Sequence, residues 1–232
     1  MEWHEAVSVL RPHIVKISTP DCSGTGWLVS RSKRTELCAV ATAAHVIDHA
    51  HYWEQPIRLY HPASNKTVLI HKSERAINLN QDMDTAGMLF PIGELSLPDE
   101  PLEMLANSKF IKVGVEIGWL GFPAIPRAGL SFFSGRVSSY NMDDSTYFVD
   151  GVAINGVSGG PAFQRKADGP PVLIGVVSAY IPNRATGAVL PGVAVVQDVS
   201  YLHELAAQFR SIDEAKESET PPTPPPSYEL IV

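Results

Sequence analysis

Apolar positions recur along this chain in short alternating runs broken by turn residues, the pattern of half-buried strands. Runs at 13–18, 24–30, 37–43, 57–61, 67–72 and 85–90 fill the first half; others at 115–120, 130–140, 147–154, 161–164, 172–181 and 192–196 fill the second. Strands at this spacing, without long helices between them, predict an all-β barrel or sandwich. The stretch 95–107, with Pro98 and Pro101, falls between two such groups and reads as the linker between two barrels, at about 13–92 and 110–197. Helical periodicity is confined to the ends. Residues 2–10 form a short amphipathic stretch stopped at Pro12, and Val199, Leu202, Leu205, Ala206 and Phe209 line one face of a helix over 199–210. From Asp213 the composition turns acidic and then proline-rich, Pro221-Pro222-Thr223-Pro224-Pro225-Pro226, so 213–232 is expected to be a disordered or polyproline-like tail beyond a domain spanning 1–212.

Composition narrows the function classes. The chain has 232 residues, enough for a substantial core and within the size, up to about 250 residues, usual for a single all-β domain. A formal charge of -7 gives no basic footprint, which argues against nucleic-acid and anionic-membrane partners. The acidic, polar start Met1-Glu2-Trp3-His4-Glu5 does not resemble a signal peptide, and no apolar run approaches the roughly 18 residues of a membrane span, so a soluble cytoplasmic protein is expected. Two cysteines are too few for a disulfide framework. A hairpin turning at 31–36 sets Cys38 opposite residues 28–30 and leaves Cys22 well beyond it, so two free thiols are expected, Cys38 as a small core residue.

Three motifs carry chemistry. Gly156-Val157-Ser158-Gly159-Gly160-Pro161 is a tight glycine-flanked serine loop; upstream lie Thr42-Ala43-Ala44-His45 and Asp84-Thr85-Ala86. A serine between glycines is ordinarily a turn and a lone histidine ordinarily a satisfied core residue. The order His, Asp, Ser, each beside a predicted strand, is what raises them together. Serine needs a base within hydrogen-bond reach; His45 titrates in the right range, and Asp84 would fix its tautomer and stabilise the imidazolium. The N–H groups of Gly156 and Ser158 would converge on one developing negative charge. Asp82 is a rival for the aspartate, but Asp84 continues directly into an apolar strand that would pin it. Asp48, His49 and His51 invite a metal reading, but they lack a second ligand pair at a recognisable interval, so no metal is expected.

The chain resembles a trypsin-like serine protease of the chymotrypsin fold, and more narrowly the protease domain of the HtrA (Deg) family without its PDZ domain. The resemblance covers most of residues 5–210. It rests on Leu10-Arg11-Pro12-His13-Ile14-Val15-Lys16-Ile17, on Gly24-Thr25-Gly26-Trp27 against that family's Gly-Ser-Gly-Phe, and on Ala41-Thr42-Ala43-Ala44-His45-Val46. Asp84-Thr85-Ala86, Gly121-Phe122-Pro123, Ser134-Gly135-Arg136-Val137-Ser138 and the stretch from Asp150 to Pro161 follow in the family's order. Asn155-Gly156-Val157-Ser158 is shorter than the family's Asn-Pro-Gly-Asn-Ser, and no Ile-Val-Gly-Gly activation site is present.

The resemblance implies two six-stranded antiparallel barrels with the site between them, and a serine endopeptidase acting through an acyl-enzyme without metal or cofactor. It implies His45, Asp84 and Ser158 as the triad and Gly156 and Ser158 as the oxyanion donors. By the same analogy the base of the substrate pocket lies near Val152 and its wall along Ser178-Ala179-Tyr180, whose backbone can pair with an extended peptide. Val152 and Ala153 offer no carboxylate, so small or medium aliphatic residues are expected at the cleaved position, with Tyr180 limiting depth. Protein or peptide substrates are the expected partners. The tail adds Pro225-Pro226-Ser227-Tyr228, a proline-rich docking motif, and an apolar terminus, Leu230-Ile231-Val232, suited to a PDZ groove in another protein or to the chain's own cleft. Two other functions stay open: a latent or inactive protease-fold binding module, and a scaffold acting through the tail.

Overall fold

The computed structural model describes residues 1–182 and 189–218. Among the described residues, thirteen strands and three α-helices are arranged as two β units, with two of the α-helices flanking the strands in sequence and one beside the cleft. The first unit is a seven-stranded antiparallel sheet. Its strands are β1 (Ile14–Ser18), β2 (Ser23–Arg31), β3 (Leu37–Thr42), β4 (Ile57–His61), β5 (Lys66–Ile70), β6 (Ala76–Asn80) and β7 (Thr85–Pro91), in the order β5-β4-β1-β2-β3-β7-β6. The second is a closed six-stranded barrel of β8 (Glu116–Gly121), β9 (Ser131–Asn141), β10 (Thr146–Asp150), β11 (Pro161–Gln164), β12 (Val172–Pro182) and β13 (Val189–Asp198), in the order β10-β13-β12-β11-β8-β9. The chymotrypsin-like double-barrel architecture is therefore present, with two departures from two equal six-stranded barrels: the first unit is an open half-barrel sheet, and it has seven strands. The first unit has a seventh strand, because Ala76–Asn80, too polar to read as a strand, pairs along β7 from Ala76↔Leu89 to Asn80↔Thr85.

Three apolar clusters explain how the units are held. Val15, Ile17, Leu28, Val40, Met88 and Phe90 fill the first unit, and Ile117, Trp119, Tyr147, Val149, Ile174 and Val196 fill the second. The third cluster lies between them and is built by the end helices α1 (Trp3–Leu10) and α3 (Ser200–Ser218). Trp3 packs on Phe132 of β9 and Phe163 of β11 with ring centroids 5.2 and 5.7 Å away. Leu202, Leu205 and Phe209 of α3 join Trp27, Leu89, Leu120 and Phe163 in the same cluster. Truncating Leu205, fully buried here, would cost about 2–5 kcal/mol. The linker is docked: Leu105 N–H donates to Leu173 O at 2.7 Å and Leu173 N–H to Glu103 O at 2.9 Å.

Two helical features differ from the sequence expectation. α3 runs to Ser218, past both 210 and the change of composition at Asp213, because Ser211 to Ser218 is rich in the helix-favouring Glu, Ala and Lys and proline enters only at Pro221. A third helix, α2 (Ala44–Tyr52), lies in the middle of the chain, where the sequence pattern predicts no helix. Both cysteines are free thiols; burial pushes the Cys38 thiol up to about 12. The proline-rich tail from Glu219 lies outside the described residues. Among those residues, no helix is long and apolar enough to cross a membrane.

Candidate active site

Three segments meet where the two units face each other. β3 ends at Thr42 and hands the chain to α2, so His45 sits in that helix's first turn. Asp84 immediately precedes β7, whose register Thr42↔Ala86 brings it beside the helix start. Asp84 is in left-handed backbone, φ 43°, which aspartate tolerates better than most residues. Its own carbonyl accepts the Ala44 N–H at 3.1 Å, and its carboxylate Oδ1 accepts the His45 N–H at 3.0 Å. α2 therefore gets its N-terminal cap from a residue 39 positions downstream, since Ala43 at the cap position offers no side-chain acceptor.

The same carboxylate faces the imidazole. His45 Nδ1 is 2.8 Å from Asp84 Oδ2 and 3.0 Å from Oδ1. Ser178, buried in β12, donates its hydroxyl to Asp84 Oδ2 at 2.6 Å. Burial pushes the Asp84 carboxyl up, but the hydrogen bonds from His45 and Ser178 and the charge of His45 together hold it below the usual carboxylate range. The hydrogen bond to Asp84 is the largest influence on His45 and raises it above its ordinary value against the opposing effect of burial. Asp82, the rival, lines a separate depression with Met83, Asp143, Asp144, Ser145, Thr146 and Gln197.

Ser158 lies across the cleft in the turn before β11. His45, Ala153, Ile154, Asn155, Ser158, Val177 and Ser178 together line a depression of about 300 Å³. Among the described residues no hydrogen bond joins Ser158 to His45. The serine loop is fixed by its backbone: Thr25 N–H donates to Ser158 O at 2.8 Å, Gly159 N–H to Val177 O at 2.7 Å and Val177 N–H to Gly160 O at 2.9 Å. At two places in this loop a left-handed backbone also requires glycine. Gly156 has φ 88° and a Cβ there would lie 2.3 Å from Phe122 O; Gly159 has φ 84° and its Cβ would lie 2.1 Å from Thr25 O.

Peptide planarity then sets where two N–H groups point. Asn155 O accepts the Ala124 N–H at 2.7 Å, and Val157 O accepts the Gly160 N–H at 2.9 Å. In a trans peptide the N–H is directed opposite to its carbonyl, so the Gly156 and Ser158 N–H groups are aimed away from those anchors. Among the described residues neither has an acceptor, whereas the N–H groups of Val157, Gly159 and Gly160 all do.

Other residues singled out in the sequence fall differently. Val152 is half exposed and does not line the depression; Ala153 and Ile154, one and two positions on, do. Ser178 lines the depression and also anchors Asp84, a second contact that its place in a predicted strand did not reveal. Ala179 and Tyr180 continue β12, paired with Val195 and Ala194; the side chain of Tyr180, expected to limit pocket depth, lies outside what is described. His49 Nδ1 pairs with Asp21 Oδ2 at 2.9 Å, and among the described residues no group of three or more His, Cys, Asp or Glu is placed to hold a metal ion.

No protein-family model matches the sequence, and no curated protein matches it. Solved structures do. Rv3671c from M. tuberculosis, a serine-to-alanine mutant in its inactive form, is 19% identical with a TM-score of 0.60, over 94% of this chain and 93% of that one. A serine endoprotease from Yersinia pestis is 15% identical with a TM-score of 0.64, over 94% of this chain and 68% of that one. Deg5 is 17% identical with a TM-score of 0.63, over 88% and 94%. The neighbours are HtrA/Deg-type serine proteases, and at these identities the likeness shows a shared fold.

Proposed function

We propose that the chain is a serine endopeptidase acting through Ser158, His45 and Asp84. The observation that carries the proposal is the Asp84 carboxylate 2.8 Å from His45 Nδ1, with His45 and Ser158 lining one depression. Held in this way, His45 presents Nε2 as the general base. Ser158 Oγ gives up its proton to it and attacks the substrate carbonyl, and Asp84 stabilises the imidazolium that forms. The negative charge on the carbonyl oxygen is met by the Gly156 and Ser158 N–H groups. His45 then returns the proton to the leaving amine, and water resolves the acyl-enzyme by the same steps. No metal or cofactor has a part in this scheme.

Substrate preference follows from the lining. Ala153, Ile154 and Val177 are apolar and none of the described residues lining the depression is a carboxylate, so a cationic side chain entering it would lose water without gaining a partner there. Small or medium aliphatic residues at the cleaved position are the proposed preference, in protein or peptide substrates paired along β12.

One observation favours a second reading, a protease-fold module that binds through its cleft in a latent state: Ser158 and His45 share no hydrogen bond among the described residues. Contacts of this kind often tighten only around substrate. Reaction with a fluorophosphonate, which needs the assembled nucleophile and base, tests one reading against the other.

A further inference from the structure

Resting on the peptidase reading, we propose that Thr25 is a positioning residue for the oxyanion-binding loop, acting from the opposite β unit. Thr25 belongs to β2 and is fully buried. Its hydroxyl donates to Gly156 O at 2.9 Å and accepts the Phe122 N–H at 3.0 Å. Its backbone N–H donates to Ser158 O at 2.8 Å, and its own carbonyl is held by the Thr42 hydroxyl at 2.7 Å. Every polar atom of Thr25 named here is thus spent on the serine loop, on the loop after β8, or on the strand leading to His45.

The consequence concerns the Gly156 N–H. Its direction is set by the Asn155–Gly156 peptide, whose carbonyl is anchored by the Ala124 N–H, and by the φ 88° turn at Gly156. The Thr25 hydroxyl touches both supports. It bonds the Gly156 carbonyl directly, and through the Phe122 N–H it fixes the backbone two residues before Ala124. One side-chain oxygen therefore determines whether that N–H faces the cleft. Because the group it aims meets negative charge only in the transition state, loss of Thr25 should lower kcat while leaving substrate affinity nearly intact. Valine keeps the shape and removes the hydroxyl; serine keeps the hydroxyl and removes a methyl.

The test compares Thr25→Val and Thr25→Ser with wild type by two independent readouts. One is the backbone amide signal and hydrogen exchange of Gly156 by NMR; the other is kcat and KM on an aliphatic peptide ester. The expected result for Thr25→Val is a displaced, faster-exchanging Gly156 amide and a kcat lower by about 10–100-fold, less than the roughly 10²–10³-fold that follows outright removal of an oxyanion donor, because the N–H is misaimed and not removed. KM should change by no more than about twofold, and Thr25→Ser should behave nearly as wild type. If Thr25→Val does not fold, Thr25→Cys, with a weaker donor in the same volume, should fall between wild type and inactivity. An undisturbed Gly156 amide with unchanged kcat in Thr25→Val would overturn the proposal. So would a loss in Thr25→Ser as large as in Thr25→Val, since packing would then be responsible. An inactive wild type whose Gly156 amide still moves in Thr25→Val and not in Thr25→Ser would support Thr25 and refute the peptidase reading instead.

Discussion

The Asp84 carboxylate binds His45 twice, accepting its backbone N–H at 3.0 Å and facing its imidazole Nδ1 at 2.8 Å. The residue that faces the imidazole also caps the helix on which His45 stands. One carboxylate thus serves both the imidazole and the start of α2, and Ser178 secures it from the second barrel.

Replacing Asp84 should therefore alter rate and pH dependence together. Asp84→Asn is expected to lower kcat by about 10⁴-fold, the loss typical when a triad aspartate is replaced. The His45 pKa, raised chiefly by the hydrogen bond to Asp84, should fall, so the rise of kcat/KM with pH moves to lower pH. A pH–rate profile of both proteins checks this, and an unmoved profile would contradict it.

Ser178→Ala removes a donor to an ionised carboxylate, a bond worth about 1.5–3 kcal/mol. The Asp84 carboxyl should rise toward its ordinary range, and kcat should drop by roughly 10-fold with KM little changed. A change confined to KM would instead place Ser178 in substrate binding alone.

How far this site was legible in the sequence depended on whether each cause lay near its effect. The glycines around Ser158 and the order His45, Asp84, Ser158 were readable because a sharp turn and a strand edge impose local residue choices. Alternation of apolar residues gave twelve of the thirteen strands, though not β6, whose Asn78 and Asn80 are held by pairing with β7. α2 was not readable, because its cap comes from Asp84 and not from Ala43. Nor were the duties of Thr25 and Ser178, small hydroxyl residues in strands whose partners lie 131 and 94 positions away.

Stability should fall on acidification in a particular window. His13 and His61 are both held below the ordinary histidine value, chiefly by burial. His61 Nδ1 is 2.8 Å from Ser64 Oγ and Nε2 is 2.8 Å from Pro12 O, so the neutral ring is fully used. A histidine with a depressed folded pKa binds more protons when unfolded. Its stabilisation is complete above about pH 6.5 and is lost as pH falls below that toward the folded value. Denaturant titrations from pH 7.5 to 5 should show this decline, with a shallower slope in His61→Gln. An equal slope would assign the decline to other groups.

Removal of residues 219–232 should leave kcat/KM unchanged. α3, which precedes the tail, passes the β2–β3 turn, where the Thr35 hydroxyl donates to Asp213 Oδ1 at 3.0 Å, at the opposite end of β3 from His45. A truncated protein with markedly higher activity would show that the tail reaches the cleft after all.

Labelling by a fluorophosphonate probe shows whether Ser158 and His45 form an assembled nucleophile and base. Wild type should be labelled at Ser158, with labelling lost in both Ser158→Ala and His45→Ala while each variant keeps its fold by circular dichroism. A folded wild type that takes no label, or labelling that persists in Ser158→Ala, would contradict the account.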